Sequence, residues 1–233
     1  MKIESLYAGL VDYQTGLQLQ TSALERLRKD EELRGVVIGL EHMGVVTLGV
    51  RGQIAADPTR SDISVSEELL RARGYELHKT TRGGQATLHN PGQLVIYPCM
   101  NLRTLGMGAK DYVTLVQTTT LKWLRQLGLE LVKCGQNEPG LFVPVSGVDR
   151  KIAAFGFKIS QGFTSHGLAI NVQNDLSAFD LIRTCGVSKQ PVTSFMELGI
   201  QTPTLESLFK SWLEMWRSSL DQQGSHISCS NKP

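Results

Sequence analysis

Arg82-Gly83-Gly84-Gln85-Ala86-Thr87-Leu88-His89-Asn90-Pro91-Gly92-Gln93 is the stretch on which the rest of the chain turns. It holds three glycines and one proline, has an arginine at one end, and runs straight into the apolar segment Leu94-Val95-Ile96-Tyr97. Glycine lets backbone approach a ligand closely and lets successive N–H groups point at it. Read alone, the stretch is two tight turns bracketing a short strand over residues 85–88. A ligand cradle is the other reading, and both stay open at this point.

The flanking chain alternates between strands and helices. Residues 13–28 read as a helix, with Leu17, Leu24 and Leu27 near helical spacing and Ala23 beside them. Residues 36–40 and 45–50 are β-branched runs of strand length, and the link 41–44 predicts that they pair as a hairpin. Residues 53–62 read as loop. Ser64 followed by Glu67 fits a capping box for a short helix that stops at Gly74. Residues 75–79 alternate as a strand leading into Arg82. Asp111 is expected to cap a helix that ends at Gly128. Residues 129–132, 141–143, 151–159 and 163–172 are expected strands, the last two forming a hairpin about Gln161-Gly162. Thr202 with Pro203 at the first helical position starts the last helix. Its stripe Leu205, Leu208, Phe209, Trp212, Leu213, Trp216 and Leu220 reads as core packing.

Composition narrows the class. The 233 residues suffice for one large or two small domains and bury a core without staples. Neither an internal repeat nor a linker divides them, so one domain is expected over 1–220, with a polar tail over 221–233. Interleaved strands and helices joined by tight turns predict an α+β fold with a mixed sheet and flanking helices. Net charge is +2, too near neutral for a nucleic-acid binder driven by phosphate neutralisation. No apolar run is long enough for a membrane helix, and residues 1–6 lack the apolar stretch of a secretory signal. Cys99, Cys134, Cys185 and Cys229 form no C-x-x-C pair, so no zinc pattern appears and no metal is expected. Free thiols point to a reducing compartment such as the cytoplasm.

Candidate chemistry centres on a cysteine and a lysine. Cys185 sits in Thr184-Cys185-Gly186-Val187, between a small polar residue and a glycine, as in an accessible turn. A buried, inert thiol is the competing reading. A nucleophilic thiol needs a cation or a helix N-terminus nearby. Lys151 opens the apolar run Ile152-Ala153-Ala154-Phe155-Gly156, so its amine is expected to be partly shielded from water and suited to proton transfer, against the alternative of a solvated lysine. His89 and His166 could orient a carbonyl or pair with a cysteine. The chain has neither G-x-x-x-x-G-K-[ST] nor G-x-G-x-x-G, which counts against a nucleotide-driven reaction.

Taken together and in this order, the segments resemble the octanoyltransferase family of lipoate biosynthesis. Residues 82–93 are similar to R-G-G-Q-x-T-[YW]-H-G-P-G-Q, and residues 41–49 to E-H-x-x-V-x-T-x-G. Residues 151–156 resemble K-[IV]-x-[AS]-[IL]-G, residues 166–171 H-G-[LF]-A-[LI]-N, and residues 184–187 P-C-G-[IV]. Each motif is weak alone, and their order makes chance agreement improbable. Leu88, Asn90, Phe155 and Thr184 depart from the pattern. Leu88 and Phe155 are expected to reshape the pocket, and Asn90 to take the left-handed backbone of the missing glycine.

The resemblance implies the catalytic-domain fold of biotin/lipoate protein ligases and makes Cys185 the acyl-thioester nucleophile, with Lys151 lowering its pKa. Arg82, Gly83, Gly84, Gln85, Ala86, Thr87, Leu88 and His89 would line the acyl pocket with Ala154, Phe155, Gly156, Gly167, Leu168 and Ala169. The implied reaction moves an octanoyl group from octanoyl-acyl carrier protein to a lysine of lipoyl domains, those of 2-oxoacid dehydrogenase and glycine cleavage complexes. The protein would act as a cytoplasmic monomer, without a cofactor. An ATP-dependent lipoate ligase and a non-catalytic lipoyl-domain-binding module are the alternatives.

Overall fold

The computed structural model describes residues 2–53, 62–135, 139–183 and 191–229, with side chains through Gln222. Strand β1 (Lys2–Val11) leads through helix α1 (Tyr13–Lys29) to β2 (Leu33–His42). Then come β3 (Val45–Leu48), a single turn α2 (Val50–Gln53), α3 (Glu67–Ala72), β4 (Glu76–Lys79), β5 (Ala86–His89) and β6 (Gln93–Met100). Helix α4 (Ala109–Gln126), β7 (Lys133–Cys134), β8 (Gly140–Val145), β9 (Val148–Ser160) and β10 (Phe163–Asn171) follow. A short 3-10 turn at Leu176–Leu181 and helix α5 (Leu205–Cys229) complete the order.

Seven strands form one sheet in the order β1-β2-β6-β10-β9-β8-β7, and three form a second in the order β4-β3-β5. The large sheet is covered on both faces, which is why its central strands read as unbroken apolar runs. In β2 the side chains of Val36, Ile38 and Leu40 join Val95, Tyr97 and Cys99 of β6 on the α1 face. Val37, Leu94 and Ile96 point the other way, into a larger core with α4 and α5. The α5 stripe lies entirely in that core, as its spacing predicts: Leu208, Trp212 and Trp216 are fully buried. Helix α1 starts where Asp12 accepts the Thr15 N–H at 2.7 Å and lays Tyr13, Gly16, Gln20, Ala23 and Leu27 on the sheet.

Six expectations of local structure change. Segments β2 and β3 do not form a hairpin; β2 pairs with β1 and β6, and β3 with β4 and β5 in the second sheet. A short link looks like a hairpin turn, but both edges of β2 are taken by strands distant in sequence. Strand β1, which periodicity did not mark, is held by that pairing. Ser66 rather than Ser64 caps α3, accepting from Leu69 N. Helix α4 starts after Gly108, placing Asp111 inside the first turn, where its charge favours the helix dipole. Residues 129–132 form turns, not a strand, and Pro203 precedes α5, whose first N–H groups meet Thr204 instead. Helix α5 continues past Asp221 to Cys229. Among the described residues no helix is long and apolar enough to cross a membrane.

Candidate active site

A cleft opens between the second sheet and the face of β9 and β10 that carries Ala154 and Ala169. Its larger part, about 930 Å³ with open solvent included, is bordered by Arg82, Gly84, Gln85, Ala86, Thr87, Gln93, Lys151, Ala154, Ala169 and Asn171. A second space of about 410 Å³ adjoins it, bordered by Tyr13, His89, Val95, Tyr97, Gly156, His166 and Gly167. Arg82, Thr87, Ala154, Phe155 and Ala169 border both. The dispersed motifs of the sequence therefore meet in one place. They meet because Thr87 of β5 borders the same space as Ala154 and Ala169 of β9 and β10, which are neighbours in the large sheet.

Lys151 reaches the cleft through a β-bulge. Between Leu141 and Phe142 the β8–β9 register shifts: Leu141 pairs with Ala153, but Phe142 pairs with Lys151. Ile152 and Ala153, adjacent in sequence, are consequently both buried in the α4–α5 core. The extra residue reverses the alternation, so Lys151 emerges on the cleft face. Its ammonium lies 5.3 Å from the centre of the Phe142 ring. Its backbone is clamped as well: Lys151 N donates to Pro191 O, and Thr193 N donates to Lys151 O, both at 2.9 Å.

Arg82 is buried, and every described acceptor it meets is a neutral oxygen. Nε and Nη2 donate to Thr47 Oγ1 at 3.0 and 2.9 Å, and Nη2 also reaches Thr47 O and Gln85 O, both at 2.7 Å. Nη1 donates to Gly83 O at 3.0 Å. Burial pulls its pKa down to about 10, leaving it charged at pH 7. The guanidinium thus ties the glycine turn to β3 and places a positive charge on the wall between the two spaces. Gly84, at φ +95°, takes a backbone conformation that side chains rarely adopt.

A buried polar chain supports the floor. Gln93 Nε2 donates to Asn171 Oδ1 at 2.9 Å, and Asn171 Nδ2 donates to Thr193 O at 3.1 Å. The Gln93 carbonyl oxygen is left to accept from His89 Nδ1 at 2.6 Å, so His89 presents Nε2 as an acceptor. His42 faces Val11 O through Nδ1 and accepts the Tyr97 hydroxyl through Nε2 at 2.8 Å. Burial lowers His42 and His166 to about 4 and His89 to about 3, so all three rings are neutral at pH 7. His166 sits at φ +56°, its N–H held by Gln20 Oε1 at 2.6 Å.

Three readings of the sequence change here. Leu88 is fully buried beside Val46 and Leu70, beneath β5 rather than in the cleft. Phe155 pairs with Leu168, and both side chains enter the α4–α5 core; the Phe155 ring stacks on Phe157 at 6.5 Å. Its bulk is therefore directed away from the cleft, which it borders along the strand. Asn90 does not adopt left-handed backbone; Gly92 does, at φ +87°. Asn90 instead donates to Asp175 O at 2.8 Å and accepts from Asn174 at 3.1 Å. Cys185 lies outside the described residues, as do Thr184, Gly186 and Val187. Ile182 before that segment and Val192 after it border the larger space of the cleft.

Tyr13, His42, Gln93, Tyr97, Gly140 and Phe142 carry no role in the sequence reading. Gln93 and Asn171 had a signal there, being amides at the ends of apolar strand runs. Such groups, when buried, need partners.

The model of the lipoyl protein ligase A/B catalytic domain matches residues 12–216. An octanoyltransferase of Koribacter versatilis is 39% identical over 209 residues, covering 88% of this chain and 79% of that one. The chain belongs to the octanoyltransferase family. Members of this family are acyltransferases, and the chain is an enzyme of that class. The octanoyltransferase family shares its fold with more distant proteins. A bi-partite lipoate protein ligase from Thermoplasma acidophilum superposes with a TM-score of 0.67 at 16% identity, covering 94% of this chain and 85% of that one. A biotin protein ligase from Aquifex aeolicus in complex with biotin and ATP gives 0.55 at 11%, covering 95% and 72%. The mixed sheet with flanking helices is thus that of the biotin/lipoate ligase catalytic domain.

Proposed function

We propose that this chain transfers an octanoyl group from octanoyl-acyl carrier protein to a lysine of a lipoyl domain, through a thioester on Cys185. The observation that carries this reading is Lys151, turned by a bulge onto the mouth of a cleft whose rim includes both flanks of the Cys185 segment. The octanoyltransferase name of its relative supports the same chemistry.

In the first step the Cys185 sulfur attacks the thioester carbonyl. The tetrahedral centre collapses, the C–S bond to the carrier breaks, and the carrier thiol leaves with a proton from Lys151. The lysine amine of the lipoyl domain then attacks the acyl-enzyme. An amide forms, the Cys185 sulfur departs as thiolate, and the amine's proton passes to Lys151, restoring its ammonium. The ammonium of Lys151 favours the thiolate while Cys185 awaits substrate. Thioester to thioester is nearly level and thioester to amide is downhill, so no ATP is consumed. Backbone N–H groups of the glycine turn are suited to hold the oxyanion. The small side chains Ala154 and Ala169 leave the acyl chain a path past Thr87 from the larger space to the smaller one. The need for a free thiol fits a reducing compartment such as the cytoplasm.

Intact-protein mass after mixing with octanoyl-acyl carrier protein, without ATP, tests this. A gain of one octanoyl group that Cys185→Ala abolishes is the expected result. Transfer appearing only with free octanoate and ATP would make the chain a ligase. Binding of lipoyl domain with no adduct or transfer would make it a non-catalytic module.

A further inference from the structure

We propose that Gly140 is a positioning residue for Lys151, its missing side chain being the space across which the lysine stem lies. Gly140 opens β8 at a buried position, where a glycine packs nothing against its neighbours, so its presence calls for a reason. Backbone conformation is not that reason, because Gly140 is absent from the described glycines at positive φ. Space is. A Cβ on Gly140 would fall 2.9 Å from Lys151 Cε, 2.9 Å from Phe142 Cε2 and 3.2 Å from Ala153 O. The bulge explains this crowding. By pairing Lys151 with Phe142, it sets the lysine diagonally beside Gly140, which pairs with Ala154. The stem then passes between the glycine and the aromatic ring, with the ammonium held near the ring face.

Two side-chain atoms, Lys151 Cε and Phe142 Cε2, stand equally near an alanine here, and of the two the lysine stem is the flexible one; the backbone oxygen of Ala153 lies farther off. Gly140→Ala therefore displaces Lys151 before it displaces the sheet, which separates positioning from folding. The inference about catalysis rests on the function proposed above; the inference about placement does not. The test uses the whole chain, reductively methylated with carbon-13 formaldehyde, with the Lys151 resonance assigned by its loss in Lys151→Arg. Gly140→Ala is expected to move that resonance while the melting temperature stays near that of the parent. In steady-state octanoyl transfer, kcat should fall about tenfold with KM for the carrier unchanged, the signature of a displaced group that does not bind substrate. Phe142→Leu probes the same placement by removing the ring instead of adding a methyl, and reads out even if the alanine variant does not fold. It should shift the resonance too. Adding Phe142→Leu to Gly140→Ala should recover part of kcat, because the leucine gives the stem room.

A Lys151 resonance unmoved in Gly140→Ala would overturn the placement. A moved resonance with parental kcat would overturn its importance for catalysis. If the parent protein transfers nothing, the proposed function fails, while the resonance still decides whether Gly140 places Lys151.

Discussion

Ala154 and Ala169 stand opposite one another across the β9–β10 ladder, and both border the larger and the smaller space of the cleft. Directly opposed residues on one face of an antiparallel pair lie about 5 Å apart at Cβ. Two methyl groups there leave a neck that larger side chains would close.

Ala154→Leu should accordingly shorten the acyl chain the enzyme accepts. Octanoyl loading should fall at least tenfold while butanoyl loading stays within about threefold of the parent, given the ~1–3 kcal/mol that each methylene is worth in an apolar pocket. Mass-spectrometric loading with butanoyl, hexanoyl and octanoyl carrier protein reads the profile. An unchanged profile would remove the neck from the account of specificity.

Arg82→Lys keeps the charge and loses the fork. The guanidinium supplies five hydrogen bonds, to Thr47, Gly83 and Gln85, from three nitrogens in one plane. A lysine ammonium cannot reach all these acceptors, and buried acceptors without donors are costly. We expect a loss of about 2–4 kcal/mol in urea unfolding. A loss below about 0.5 kcal/mol, within the range of an ordinary surface change, would show that the fork is dispensable.

Acid should destabilise the fold before its carboxylates titrate. His42 and His166 are held down at about 4 and His89 at about 3, each chiefly by burial, against an ordinary value of 6.5. Above pH 6.5 these rings are neutral whether the chain is folded or not. As pH falls from 6.5 toward 4, the unfolded chain takes up protons that the folded chain refuses, so stability drops. The ceiling is about 1.4 kcal/mol per pH unit for each ring, or roughly 4 for three. Unfolding at pH 7.5, 6 and 5 should show the loss, and His89→Gln should flatten it. A stability flat from pH 7.5 to 5 would mean that the rings protonate freely in the folded protein.

Periodicity made α1, α4 and α5 legible because each buries one stripe, and the spacing of that stripe is local information. The β9–β10 hairpin was legible for the same reason: Gln161 and Gly162 turn the chain, at φ +53° and +80°. Strand pairing was not legible where partners are distant. Residues 45–50 look like the hairpin partner of β2, yet β3 belongs to a second sheet, because the neighbours of β2 come from residues 2–11 and 93–100. Motif order pointed to the right surface, and tertiary structure then decided which side chains face it. Phe155 and Leu88, prominent in the motifs, turn into cores, and Gln93, Tyr97 and Gly140 turn out to border or shape the cleft.

The sequence by itself determined the family, the main helices and the chemistry-bearing residue types, because helical stripes and motif spacing are properties of short stretches. The facing of Lys151 was decided only in three dimensions. Alternation alone would have sent it with Ala153 into the α4–α5 core. One extra residue in β9 reversed that, and a bulge exists only where a strand is paired with its partner.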